Sequence, residues 1–67
     1  MEEGYYIYIE DEHCYEKTEY ADSFEEAYEI GIRECMDTLS WGEYATFTIE
    51  NLKTDECIMY DRYGNKM

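Results

Sequence analysis

DSFEEAYEIGIRECMDTLSWG, residues 22–42, is the stretch whose periodicity decides the fold. Phe24, Ala27, Tyr28, Gly31, Cys35 and Leu39 recur at three- and four-residue steps and trace one apolar stripe. Glu25, Glu26, Glu29, Arg33 and Asp37 lie mostly on the other side. Ser23 followed by Glu26 forms a capping box, which satisfies orphan backbone N–H groups at a helix start. Gly42, just past Trp41, is placed as a left-handed stop. The spacing therefore predicts one amphipathic helix across this stretch, apolar on one face and acidic on the other.

On either side of it the period changes from 3.6 to 2. Upstream, YYIYIE (residues 5–10) sends Tyr5, Ile7 and Ile9 one way and Tyr6, Tyr8 and Glu10 the other. Asp11, Glu12 and His13 read as a turn, and the weakly alternating YEKTEY (residues 15–20) as a polar edge strand, whose charge discourages strand-to-strand aggregation. Downstream, YATFTIE (residues 44–50) puts Ala45, Phe47 and Ile49 on one face. NLKTD (residues 51–55) is a hairpin loop, and ECIMYD (residues 56–61) the last strand. Arg62 to Asn65 are expected to turn the chain out into a short tail. Short loops make both hairpins antiparallel. The expected fold is α+β in ββαββ order: residues 1–67 as one compact acidic domain, a four-stranded antiparallel sheet with the helix packed on one face. Gly31 lets the helix backbone approach the sheet closely, offsetting its propensity cost of about 1 kcal/mol. Strand order is open.

A chain of 67 residues is near the lower limit for unaided folding, burying only about 60% of its unfolded surface. Nine tyrosines, two phenylalanines and a tryptophan supply bulk in compensation, at about 150–250 Å² each. With one helix, the second sheet face would show Tyr6, Tyr8, Tyr44, Thr46 and Thr48 to solvent. Such an aromatic face is a contact surface, a dimer interface, or simply half-exposed tyrosine without a partner.

Eighteen acids against five bases give a net charge of −13. Repulsion of that size opposes nucleic acid and anionic membranes and favours a basic partner. Cys14, Cys35 and Cys57 are an odd set with no zinc spacing, and read as free thiols of a reducing compartment. MEEGYY lacks the basic, apolar leader of a secretory signal, and no apolar run approaches the ~20 residues of a membrane span. The expectation is a cytoplasmic protein.

Catalytic and cofactor chemistry find no support. His13 adjoins Cys14, and neighbours in extended chain point to opposite sides, so a nucleophile–base pair would have to use Cys35 or Cys57 across the fold, and no oxyanion loop is recognisable. Glu10, Asp11, Glu12 and Glu16 lack the glycine and terminal glutamate of an EF-hand loop. There is no phosphate-cradling glycine loop. Neither catalytic residues, a metal nor a cofactor is expected. The acids themselves remain. Glu25, Glu26, Glu29 and Asp37 form a helical row, and carboxylates three or four residues apart are separated by about 5–6 Å at Cβ, similar to neighbouring phosphates of one strand. Glu10, Asp11, Glu12 and Glu16 crowd the first hairpin as a second cluster. The alternative is that these acids only solubilise.

Very short length, a large acid excess, abundant tyrosine and the pattern YYIYIE…SFEEAYEIGIREC…YATFTIE…CIMYD resemble the small acidic proteins that phages encode against host defences: anti-CRISPR proteins, restriction inhibitors and other DNA mimics. The resemblance is one of character across the whole chain, with no motif to carry over residue by residue. It implies a non-enzymatic inhibitor acting in the host cytoplasm. Such a protein fills a nucleic-acid channel of a basic nuclease or CRISPR-type complex without binding nucleic acid itself. On that reading Glu25, Glu26, Glu29, Asp37, Glu10, Asp11, Glu12 and Glu16 stand in for phosphates, and Tyr6 and Tyr8 are packing anchors. The rival reading is a small structural or regulatory adaptor that dimerises through its tyrosine face.

Overall fold

The structure, a computed structural model, describes residues 4–37, 39 and 41–67. β1 (Tyr5–Glu10) and β2 (Glu16–Ala21) form the first hairpin, α1 (Phe24–Cys35) follows, and β3 (Thr46–Asn51) and β4 (Cys57–Asp61) form the second. All strand pairs are antiparallel, in the order β2-β1-β3-β4. The expected ββαββ architecture is what the chain adopts. Its polar second strand lies at an edge, and β1 and β3, each with two buried residues, lie at the centre. No helix among the described residues is long and apolar enough to cross a membrane.

α1 starts where its cap predicts: the Ser23 hydroxyl accepts from the Glu26 N–H at 3.2 Å. It ends a full turn and more before Gly42, which corrects the expected stop. Met36 closes it in ordinary right-handed geometry, and the Asp37 N–H tightens onto the Glu34 carbonyl at 3.1 Å. Two competing demands end the helix. The Asp37 carboxylate accepts from the Leu39 N–H at 3.2 Å, offering the backbone a partner outside the helical ladder. Trp41 must also turn inward: it is buried at 8% exposure, whereas Leu39, expected on the apolar stripe, stands 98% exposed. Phe24, at the other end of the stripe, is also exposed and packs edge-on to Tyr5 at 5.9 Å.

The core lies between α1 and the sheet. Ile7, Ile9, Phe47 and Ile49 rise from the central strands to meet Ala27, Gly31 and Cys35. Phe47 stacks on Tyr60 at 5.1 Å and receives the edge of Tyr28 at 5.9 Å, and the Tyr28 hydroxyl donates to the Gly64 carbonyl at 2.6 Å. Gly31 sits directly on the Phe47 ring, where a Cβ would lie 2.6 Å from Phe47 Cγ. The tail does not turn out as expected. It folds back along the outer edge of β4, with Lys66 bridging to Tyr60 and the Met67 N–H donating to the Met59 carbonyl at 3.0 Å. The turn that returns it is closed by Asp61, whose carboxylate accepts from the Tyr63 and Asn65 N–H groups, both at 2.9 Å.

Candidate functional site

Register turns the face opposite α1 into a grid of three rows of four. Tyr20, Tyr6, Glu50 and Cys57 make the first row; Thr18, Tyr8, Thr48 and Met59 the second; Glu16, Glu10, Thr46 and Asp61 the third. Tyr6 packs edge-to-face against Tyr8 at 6.1 Å and against Tyr20 at 5.9 Å. The Tyr8 hydroxyl donates to Glu50 Oε1 at 2.5 Å. Tyr20 and Met59, absent from the sequence-based list for this face, are exposed on it. The alternation of EKTEYA holds the signal for Tyr20, but only the pairing with Tyr6 assigns it a face. Tyr44 lies before β3 begins and is exposed beyond the end of the grid.

The Tyr8–Glu50 hydrogen bond, aided by partial burial, pushes the Tyr8 hydroxyl up from 10.0 to about 12. Because the fold favours neutral Tyr8, the contribution of that bond is complete below pH 10 and is lost as pH rises toward 12. In a tyrosinate absorbance titration Tyr8 is expected to ionise late, near pH 12, and Tyr8→Phe to remove that step. A variant is required, because burial raises Tyr60 as well. An unchanged late limb in Tyr8→Phe would disprove the assignment.

Three aspartates are committed to the backbone. Asp11, Asp37 and Asp61 each accept from the backbone N–H two residues on, as does Asn51, so these side chains close turns. Asp11 goes further. One oxygen accepts from His13 at 3.0 Å and Tyr15 at 3.1 Å, and the other from the Gly42 N–H at 2.9 Å. Burial alone would raise the Asp11 carboxyl, but the backbone donors of Gly42, Tyr15 and His13 hold it below its ordinary value. Glu12 joins it by accepting from the Tyr44 N–H at 3.0 Å. Asp11 and Glu12 therefore latch the first hairpin to the segment leading into β3.

Glu10 and Glu16 face each other across β1 and β2 on the open face. Glu25, Glu26 and Glu29 are exposed on α1, and Asp37 lies past its end, outside the helical row. Since α1 covers one sheet face and its acids point away from the sheet, the helical row and the Tyr6–Tyr8 face look in opposite directions. The eight acids expected as two phosphate-like clusters divide further: Glu25, Glu26 and Glu29 on α1, Asp37 past its end, Asp11 and Glu12 in the latch, and Glu10 and Glu16 on the open face.

Cations are placed elsewhere. Lys17 pairs with Glu34 at 2.9 Å and Glu19 at 3.0 Å on the helix side of β2, and Arg62 donates to the Glu43 carbonyl at 3.2 Å. Cys14 and Cys57 are exposed, while Cys35 is buried and its thiol pushed up to about 11 by that burial. Among the described residues no group of three or more His, Cys, Asp or Glu side chains is placed to hold a metal ion. No protein-family model, curated protein or solved structure gives a significant match.

Proposed function

We propose that this chain is a non-enzymatic inhibitor that binds a basic, nucleic-acid-handling protein and occupies the surface used for DNA or RNA. The observation that carries the reading is a net charge of −13 on a fold that buries no charged side chain among the described residues. Such a body repels phosphate and attracts lysine- and arginine-rich grooves built for it. The exposed row Glu25, Glu26 and Glu29, and the Glu10–Glu16 pair, are the phosphate surrogates left once Asp11, Glu12 and Asp37 are assigned to the backbone. The cytoplasm of a host cell is the compartment this function requires.

The adaptor reading has the tyrosine grid in its favour, but two grids stacked face to face would enclose Glu10, Glu16, Glu50 and Asp61 of both copies in one interface with no grid cation to offset them. Like charges at close quarters cost affinity. A monomer is expected by light scattering, whereas a stable dimer abolished by Tyr8→Glu would favour the adaptor.

The deciding experiment is capture of the partner from host lysate, followed by purified binding with and without competing nucleic acid. Affinity is expected to fall at least about tenfold between roughly 50 and 200 mM salt. DNA or RNA should displace the chain from its partner. Charge reversal at Glu26 or Glu29 should mainly slow association. Binding indifferent to both salt and nucleic acid would eliminate mimicry.

A further inference from the structure

We infer that the partner docks on the open sheet face and is read there by arginine side chains, whose guanidinium groups lie against Tyr6, Tyr8 and Tyr20 and pair with Glu10, Glu16 and Glu50. This rests on the proposal that the partner is basic and goes beyond it by choosing the face and the cation. The twelve grid positions hold four carboxylates and no lysine or arginine. Lys17, the one cation of β2, is drawn to the opposite side by Glu34 and Glu19. Glu10 and Glu16 therefore stand directly opposite one another with no cation on them among the described residues, an arrangement that costs stability in the free chain. A bound cation relieves it.

The aromatic half of the face selects the kind of cation. A guanidinium is planar, weakly hydrated, and both stacks on aromatic rings and binds carboxylates through two parallel N–H groups. An ammonium does the second poorly and sheds water reluctantly. The rings are already held in place, Tyr6 edge-on to both neighbours and Tyr8 tied to Glu50, so little side-chain freedom is lost on binding. Tyrosine in such a setting is a frequent hot spot. The helical row is less well provided: Glu25 and Glu29 border Phe24 and Tyr28, but those rings stack on each other at 6.3 Å, and Arg33 sits one turn beyond Glu29 as a competing cation.

The full chain, isotopically labelled, is titrated by NMR with an oligo-arginine peptide and with an oligo-lysine peptide of equal length. The largest amide shifts are expected at Tyr6, Tyr8, Thr18 and Tyr20, with arginine bound about threefold or more tightly than lysine. Tyr20→Leu, on the edge strand, should erase that preference, and Glu16→Gln should weaken both peptides, each variant melting as a folded domain. Glu29→Gln should leave the preference intact. Shifts centred on Glu25, Glu26 and Glu29, or equal affinities for the two peptides, would overturn the sheet-face assignment and leave the basic-partner reading standing. Salt-insensitive binding, or none, to either peptide would overturn both.

Discussion

Gly31→Val is expected to lower the melting temperature by roughly 12–24 °C, the largest effect of any single substitution on the helix. At Gly31 even one added carbon overlaps the Phe47 ring, with Cγ 2.6 Å away. The ring cannot yield: it is fully buried, stacked on Tyr60 at 5.1 Å and edged by Tyr28 at 5.9 Å. Overpacking of this kind costs about 3 kcal/mol, and each kcal/mol shifts the melting temperature of so small a domain by about 4–8 °C. At about 0.05–0.15 kcal/mol per residue, the entire stability of a 67-residue chain is about 3–10 kcal/mol. Gly31→Ala is the milder case, since alanine returns about 1 kcal/mol of helix propensity against its overlap. Phe47→Leu should partly rescue Gly31→Ala, so that the double variant melts higher than the two separate losses add to. Thermal circular dichroism of the wild type and the four variants reads this out. An unchanged melting temperature in Gly31→Val would mean that α1 does not rest on Phe47.

The features that make Gly31 critical are legible from the amino-acid order, because they are local. Period-2 alternation places Ile7, Ile9, Phe47 and Ile49 on one face, and the helical stripe places Ala27, Gly31 and Cys35 opposite them, as the structure has it. The helix end is not legible. Leu39 continues the period perfectly, four residues after Cys35, and is nonetheless 98% exposed. Trp41 takes the buried place instead, and a tryptophan, which can bury on the order of 150–250 Å², outweighs a leucine whenever the chain can turn to deliver it. Strand order is likewise tertiary: nothing in either hairpin says that β1 and β3 pair, yet that pairing sets Glu50, Thr48 and Thr46 beside Tyr6, Tyr8 and Glu10 on one face.

The candidate site was harder to read, for a chemical reason. In a list of charges, aspartate and glutamate count alike, but the short aspartate side chain reaches its own backbone and the longer glutamate does not do so readily. Asp11, Asp37 and Asp61 consequently spend their carboxylates on turns, whereas Glu10, Glu16, Glu25, Glu26 and Glu29 keep theirs for solvent or a partner. The amino-acid order carries this signal clearly only at Asp61, which is followed by Gly64 and Asn65; Asp11 is followed by Glu, His and Cys. Glu12 breaks the division, since the fold brings the Tyr44 N–H to it across 32 residues.

Asp11→Ala is expected to be the most damaging change at any exposed turn, and Asp11→Asn to be intermediate. The carboxylate accepts from three backbone donors in two separate loops, and alanine leaves the Gly42, His13 and Tyr15 N–H groups without that acceptor. Asparagine keeps one oxygen and therefore some of these bonds, but it loses the charge that strengthens them. Acid exposes the same latch. The backbone donors hold Asp11 below its ordinary 3.8, and Asp61 is lowered likewise, chiefly by the Asn65 N–H. A depressed folded value means that the stabilisation is present above pH 3.8 and is lost as pH falls below it. The net repulsion among the other acids relaxes in the same direction, so the two effects oppose each other, and comparison of variants isolates the latch. Wild-type chain should lose stability more steeply below pH 3.8 than Asp11→Asn, measured as melting temperature against pH. Identical slopes would mean that Asp11 is an ordinary surface acid and returns to the phosphate surrogates. The expected difference instead takes Asp11 out of the proposed contact surface and leaves Glu10 and Glu16 on the open face and Glu25, Glu26 and Glu29 on α1.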